Sequence, residues 1–178
     1  MIHDRSHTPR LTIPVGPEDH MQGAPPAPLT LVEYGDYQCS YCRRVHPIIQ
    51  ALEKAMGQKL RFVFRNMPLG QMHPRAEFAA EAAEAAGAQG KFWEMHDALY
   101  EQEDELGPQL IAQLGKKIGL DTARMDRDLE QGTFRERVRA DFMGGVRSGV
   151  VGTPTFFING WRYDGEPEAA PMLTALRG

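Results

Sequence analysis

The chain contains two cysteines, Cys39 and Cys42, which are separated by two residues in the stretch YQCSYC. A pair at this spacing can form a reversible disulfide, supply half of a metal site, or pack as two inert thiols. If both cysteines lie in the first turn of a helix, their Cβ atoms are about 5 to 6 Å apart. Modest adjustment brings that separation into the range of a disulfide. The spacing alone leaves the three hypotheses open, so the surrounding elements must distinguish them.

The pair lies between a predicted strand and a predicted helix. The run LTLVEY, residues 29–34, is typical of a buried strand, and apolar residues recur at helical spacing from Cys39 to Met56. Free backbone N–H groups and the positive dipole end of a helix favour a thiolate. Such positions lower a thiol pKa from about 8.5 to between about 7.5 and 3.5. We therefore expect Cys39 to be an exposed nucleophile and Cys42, one turn deeper, to resolve a mixed disulfide.

The competing hypotheses for the cysteines fit the sequence less well. Haem attachment needs C-x-x-C-H, and position 43 is arginine, so this chemistry is excluded. Structural zinc prefers four ligands, and the chain offers two cysteines, His46 and no second C-x-x-C. Simple burial of two thiols would not favour this pattern at a helix start. Redox chemistry without a metal or an organic cofactor is the favoured interpretation.

The remaining elements indicate an α/β fold. An alternating strand over residues 60–66 follows the first helix, so the first half is a βαβ unit with parallel strands. Residues 73–149 have helical character throughout. Asn159-Gly160 between two β-rich runs predicts a hairpin, and a last helix is expected to start near Pro171. The order is βαβ, an all-α block, then ββα, so both ends join one sheet and the block is an insertion.

The first 28 residues show no sustained period. The stretch GAPPAPL, residues 23–29, is extended and proline-rich, because each proline fixes φ and removes a donor. Its P-x-x-P is compatible with a ligand for a partner domain, but a plain linker is favoured. We predict an arm outside the core, with His3, His7 and His20 in solvent.

Composition excludes several classes of function. The net charge of −4 gives no support to nucleic acid or an anionic membrane surface as the main partner. No apolar run approaches the roughly 18 to 20 residues that span a bilayer. The start, MIHDRSHTPR, is polar where a signal peptide needs its apolar region, so we expect a cytoplasmic protein.

Four features in order resemble the thioredoxin superfamily, and within it the DsbA-like disulfide oxidoreductases. They are EYGDYQCSYC with its C-x-x-C, Pro47 five residues after Cys42, the stretch GTPTFFING, and the helical insertion between the two halves. A single C-x-x-C is a weak signal, whereas the ordered set covers residues 29–165 and is specific. The resemblance implies a thioredoxin-like fold with an all-α, DsbA-like insertion.

The resemblance also implies roles for three further residues. Glu33, six residues before Cys39, would be a buried carboxylate that takes and returns the proton of Cys42. The sequence alone is equally compatible with a salt-bridged residue at a strand edge. Pro154 would follow a cis peptide bond, and the backbone of Thr153 would pair with an extended substrate.

The predicted function is thiol-disulfide exchange with protein or peptide substrates and a redox partner, with its direction unresolved. The predicted organisation is an N-terminal arm (1–28), a thioredoxin-like core (29–70 and 150–178) and a helical insertion (71–149). The alternative is a non-catalytic module of the same fold that senses redox state or binds a partner. Repeated turnover would distinguish the enzyme from such a module.

Other residues near the cysteines have simpler interpretations. His46 is expected to be a partly exposed helix histidine, and Arg43 and Arg44 to form a solvated helix face. His73 and His96 are assigned to the insertion and its packing. The apolar face with Phe92, Trp93 and Met95 is expected to be core, with a part that could line a substrate groove.

Overall fold

The computed structural model describes residues 8–103 and 105–178. In this part of the chain, five strands form one mixed sheet in the order β1-β3-β2-β4-β5. The strands are β1 (His20–Gly23), β2 (Leu29–Gly35), β3 (Leu60–Asn66), β4 (Thr155–Ile158) and β5 (Trp161–Tyr163). The helices are α1 (Ser40–Met56), α2 (Ala76–Gly87), α3 (Phe92–Tyr100), α4 (Pro108–Lys117), α5 (Thr122–Gln131), α6 (Arg135–Arg147) and α7 (Ala169–Arg177), with a short 3₁₀ turn at Gly57–Lys59.

Strand β2 is the centre of the sheet and leads directly to the cysteines. It pairs in parallel with β3 from Leu29 opposite Leu60, and antiparallel with β4 from Tyr34 opposite Thr155. Helix α1 connects the parallel pair, which confirms the βαβ prediction. The carboxyl end of β2 and the amino end of β4 therefore meet at one edge of the sheet.

The predicted hairpin joins β4 to β5. Asn159 and Gly160 form its turn with φ values of 48° and 83°, the left-handed region that an Asn-Gly turn requires. The last helix begins at Ala169, two residues before the predicted start. Pro171 fits there because the N–H groups of a first helical turn have no intrahelical partner.

Both faces of the sheet are covered, so its strands bury side chains on alternate sides. Leu31 of β2 belongs to the larger core, with α1 and the insertion, while Val32 and Tyr34 belong to the smaller core behind the sheet. Glu33 lies on the same face as Leu31, the side of α1. In the insertion, α2 contributes fully buried alanines, including Ala79 and Ala83, that permit close packing of α3.

The N-terminal segment differs from the predicted free arm. Residues 20–23 form β1, which pairs antiparallel with β3, and Arg10 forms a bridge with Trp161. His20 is not a solvent residue, because its ring stacks on Phe92 at 3.5 Å and its Nε2 lies 2.9 Å from Glu84 Oε2. The prediction failed because a four-residue edge strand is held by backbone pairing and shows no apolar period. His3 and His7 lie outside the described residues.

The helices of the described residues include none that is long and apolar enough to cross a bilayer.

Candidate active site

Cys39 occupies the N-cap position of α1, directly beyond the loop that follows β2. Its backbone N–H donates to the carbonyl oxygen of Asp36 at 3.1 Å, and its own carbonyl accepts from the N–H of Arg43 at 3.1 Å. The structure holds both cysteines as free thiols. Cys39 is 5% exposed, so it is more covered than the sequence predicts, and Cys42 is fully buried.

The surroundings of Cys39 favour its thiolate and lower its pKa to about 5. The largest cause is a hydrogen bond from the thiol of Cys42, and burial acts in the opposite direction. The hydroxyl of Thr153 and the backbone N–H groups of Cys42 and Tyr41 add further stabilisation. These N–H groups are unpaired donors of the first helical turn, so the helix start supplies part of the effect.

Cys42 has the opposite character. Burial raises its pKa well above the ordinary value, and its hydrogen bond to Cys39 and the charge of Glu33 raise it further. One cysteine is therefore ionised at neutral pH and the other retains its proton. This asymmetry is what a nucleophile and a resolving thiol require, because only the thiolate attacks a disulfide.

Thr153 faces Cys39 from the loop before β4. Its carbonyl oxygen lies 3.5 Å from Cys39 Sγ, and the Thr153–Pro154 peptide bond is cis. Within the described residues, the buried Thr153 Oγ1 has no hydrogen-bond partner. The hydroxyl is thus available to the Cys39 thiolate.

Glu33 is a buried carboxyl on the central strand, with 3% of its surface exposed. Burial raises its pKa to about 8, and the negative charge of Cys39 adds to this rise. No ion pair to Glu33 is found in the described part of the chain, so it is not a salt-bridged residue at a strand edge. Its charge acts on Cys42, which couples the two groups electrostatically.

The space beside Glu33 is shared with two aromatic side chains that sequence analysis did not assign to the site. A Cβ atom at Gly35 would lie 2.5 Å from Phe64 Cε2, 2.8 Å from the Tyr100 hydroxyl and 3.0 Å from Glu33 Oε1. Only glycine leaves room for this arrangement. The Gly35 in EYGDY was the available signal, because a glycine at a strand end often marks a close approach.

Asp36 organises the loop between β2 and α1. Its carboxylate accepts from the N–H of Gln38 at 2.8 Å and from that of Leu69 at 2.9 Å, and contacts His73 Nδ1 at 2.7 Å. His73 was assigned to the insertion and its packing; it instead supports the loop that carries Cys39. The Asp36–Gln38 contact follows an Asx-turn pattern that the sequence GDYQ could have indicated.

Two polar residues of α1 after the cysteines are more buried than the sequence predicts. His46 is buried between α1 and α3, and Nε of Arg43 is also buried. His46 was expected to be partly exposed and Arg43 to lie on a solvated face, but His96 and Asp97 of α3 pack against His46. The guanidinium of Arg44 lies over the Tyr41 ring at 4.7 Å.

Comparison with known proteins identifies the family. The sequence profile of the family described as Thioredoxin matches residues 16–177. The chain belongs to the thioredoxin superfamily. A solved thioredoxin-like oxidoreductase from Silicibacter pomeroyi is 30% identical, with a TM-score of 0.82, over 91% of this chain and 92% of that one.

Two further proteins resemble this thioredoxin-like chain, one in fold and one in sequence. Wolbachia pipientis alpha-DsbA1 has a TM-score of 0.79 over 94% of this chain and 92% of that one, at 19% identity, which shows a DsbA-like fold. A protein named Na(+)/H(+) antiporter NhaA 1 from Salinispora arenicola is 44% identical over 173 residues, which is 94% of this chain and 26% of that protein. The chain thus spans about a quarter of the curated relatives that it matches.

Proposed function

We propose that the protein is a thiol-disulfide oxidoreductase in which Cys39 is the nucleophile and Cys42 the resolving cysteine. The observation that carries the proposal is the opposite ionisation of two adjacent thiols. The pKa of Cys39 is lowered to about 5, while that of Cys42 is raised well above its ordinary value. A structural or inert pair would not need this difference.

The exchange makes and breaks only sulfur–sulfur bonds, between the two cysteines and the substrate. The Cys39 thiolate attacks one sulfur of a substrate disulfide, and the other sulfur leaves as a thiolate. Cys42 then loses its proton and attacks Sγ of Cys39, so that the second substrate thiol departs and a Cys39–Cys42 disulfide forms. Run in reverse, a substrate thiolate attacks the enzyme disulfide, and the substrate becomes oxidised.

Glu33 is proposed as the group that accepts the proton of Cys42. The second step requires a base near a fully buried thiol, and Glu33 is the carboxyl whose charge acts on that thiol. With a pKa of about 8, Glu33 exchanges its proton near neutral pH, as a general acid or base should.

The substrate is proposed to be an extended protein or peptide segment. Tyr41, between the cysteines, is 58% exposed, and Val151, two residues before Thr153, is 95% exposed. Solvent-exposed apolar side chains beside a reactive thiol suit the contact of apolar substrate residues. The backbone of Thr153 is proposed to pair with the substrate. Thr153→Arg and Pro154→Ala should alter the yield of mixed disulfides trapped on Cys39 in a Cys42→Ser background; unchanged yields would oppose this assignment.

Turnover is the direct test of the proposed function. A fluorescent peptide with two cysteines is supplied as the dithiol with oxidised glutathione, or as the disulfide with dithiothreitol, at a large molar excess over the protein. We expect many equivalents to be converted in at least one direction, and Cys39→Ser to abolish conversion. Conversion of one equivalent or fewer would overturn the enzymatic proposal.

A partner-binding module is the second candidate function. The matched relatives carry this region within chains about four times as long, which are named Na(+)/H(+) antiporters. A region with this architecture could sense redox state for an attached or associated protein. Single, stoichiometric oxidation of Cys39 and Cys42 without turnover would favour this candidate.

A further inference from the structure

Three potential metal ligands meet between α1 and α3, outside the dithiol site. They are His46 of α1 and His96 and Asp97 of α3, and each offers one ligand atom within 4.8 Å of the others. The two imidazole rings have centroids 5.3 Å apart and are inclined by 65°. The thiol-exchange mechanism uses none of these groups.

His46 presents a buried nitrogen with no hydrogen bond. The residue is 8% exposed, and its Nε2 has no hydrogen-bond partner among the described residues. Asp97 Oδ1 lies only 3.3 Å from this nitrogen, but the pair does not meet hydrogen-bond geometry. Buried polar atoms are nearly always satisfied, so this nitrogen points to an absent partner. The burial also lowers the pKa of His46, which keeps its ring neutral.

His96 brings a second imidazole to the cluster. Its Nδ1 lies 3.0 Å from the hydroxyl of Tyr37, which leaves Nε2 for a second partner. A metal-binding histidine commonly donates its other N–H to such an oxygen, and this fixes the ring. Burial holds the pKa of His96 well below its usual range, so its ring is also neutral. Neutral rings offer the lone pairs that a metal requires.

Negative charge collects where this cluster reaches the surface. Burial raises the pKa of Asp97 to about 6, and the charges of Glu101 and Glu94 raise it further. Burial and the charge of Asp97 likewise raise the pKa of Glu53 to about 7. Glu101 acts electrostatically on both His46 and Asp97.

We propose that His46, His96 and Asp97 form a binding site for a divalent transition metal, with zinc as the preferred ion. Zinc takes imidazole nitrogen and carboxylate oxygen at about 2.0 to 2.2 Å, so tetrahedral ligands lie about 3.3 Å apart. The His46–Asp97 separation already equals this value, at 3.3 Å. Water would take the fourth position. Calcium and magnesium are excluded because they prefer oxygen ligands.

The test is zinc affinity in a protein without its thiols. Cys39→Ser/Cys42→Ser serves as the parent, because a dithiol binds zinc by itself. Competition with a chromophoric chelator gives the affinity of the parent, of His46→Gln and of Asp97→Asn. We expect one zinc ion in the parent and at least a tenfold weaker affinity in each variant. His20→Gln is the matched control, since His20 also pairs with a carboxylate, and its affinity should stay within twofold of the parent.

Melting temperature separates a ligand role from a structural one. Asp97 is 40% exposed, so Asp97→Asn should melt like the parent without zinc, while the zinc-induced rise should disappear. His3 and His7 remain in every variant, so any zinc they hold is common to all. Absence of zinc binding in the thiol-free parent, or equal affinity in the parent and Asp97→Asn, would overturn the site.

Discussion

The Sγ atom of Cys39 lies 3.5 Å from the carbonyl oxygen of Thr153, which comes 114 residues later in the chain. The contact exists because β4 pairs antiparallel with β2, with Thr155 opposite Tyr34. The loop before β4 and the start of α1 therefore lie at the same edge of the sheet. The whole insertion separates the two residues in sequence, yet the Thr153 hydroxyl helps set the ionisation of the Cys39 thiol.

The hydrogen bond from Cys42 should be the main determinant of Cys39 ionisation. Cys42→Ala removes this donor, so we expect the titration midpoint of Cys39 to rise from about 5 by roughly 1 to 2 pH units. Cys42→Ser keeps a hydroxyl donor and should shift it less. The rate of alkylation of Cys39 against pH, followed by mass spectrometry, measures the midpoint. Identical profiles for the two variants would contradict the assigned cause.

The Thr153 hydroxyl should contribute a smaller effect of the same sign. Thr153→Val keeps the shape and the carbonyl oxygen but removes the hydroxyl, so the pKa of Cys39 should rise by less than in Cys42→Ala. Thr155→Val is the matched control, because the Thr155 hydroxyl donates to the carbonyl of Gly152 at 2.7 Å. The same alkylation profile distinguishes them. If Thr155→Val raised the pKa of Cys39 as far as Thr153→Val does, the shift would reflect a change in loop shape and not the loss of the Thr153 hydroxyl.

Glu33 should reduce stability as the pH rises. The pKa of Glu33 is about 8 in the folded protein and 4.5 in the unfolded chain. Between these values the folded state holds a proton that the unfolded state releases. Stability is therefore unaffected below pH 4.5, falls through neutral pH and levels off above pH 8. Glu33→Gln removes this dependence. The stability of the variant relative to the wild type should therefore increase by about 3 kcal/mol between pH 4 and pH 7. Urea denaturation at several pH values gives the difference. A gap that is independent of pH would contradict the raised pKa.

The same substitution should slow the resolving step. In the wild type, the deprotonated fraction of Glu33 increases as the pH passes about 8, and only the carboxylate accepts the proton of Cys42. Release of a trapped mixed disulfide should therefore accelerate through this range in the wild type and remain slower in Glu33→Gln. Stopped-flow measurements of substrate release follow this step. Unchanged exchange in Glu33→Gln would rule out the relay role.

The redox potential should be more oxidising than that of thioredoxin. A stabilised Cys39 thiolate favours the dithiol form, and its pKa of about 5 lies between the values of about 7 for thioredoxin and about 3.5 for DsbA. We expect a midpoint between about −270 and −120 mV. Equilibration in graded glutathione buffers, followed by trapping and counting of free thiols, measures it. A midpoint at or below the thioredoxin value would show that the thiolate does not control the couple.

Local sequence signals accounted for the elements that carry the cysteines. The apolar run before Cys39 and the helical period after it located β2 and α1, and Asn159-Gly160 located the hairpin. These features depend on neighbours in the chain, so their physical causes are visible in sequence. The position of Glu33 on the buried face follows from the alternation of side chains along a strand.

Contacts between distant segments of the chain could not be predicted from local sequence signals. Whether His73 supports the active-site loop, or His46 meets Asp97, depends on how the insertion packs against α1. Helical periodicity identifies a buried face without saying which element covers it. The N-terminal strand was missed for a related reason, since its backbone pairing with β3 and the ion pair between Asp19 and Arg65 both join segments far apart in sequence.

That ion pair should hold the N-terminal segment to the core. The carboxylate of Asp19 accepts from Arg65 Nε at 2.8 Å and from Nη2 at 2.9 Å, and both side chains are buried. Burial alone would raise the pKa of Asp19, but the hydrogen bonds from Arg65 outweigh this effect and lower the pKa. The stability that the ion pair contributes is therefore lost as the pH falls through the pKa of Asp19 in the folded protein. Asp19→Asn leaves the guanidinium without its carboxylate and should cost about 3 to 5 kcal/mol in urea denaturation at pH 7. The exposed Asp126→Asn serves as control and should change stability little. If Asp19→Asn unfolds at the same urea concentration as the control, residues 8–23 behave as the appended arm that the sequence predicts, and the pairing of β1 adds little to the fold.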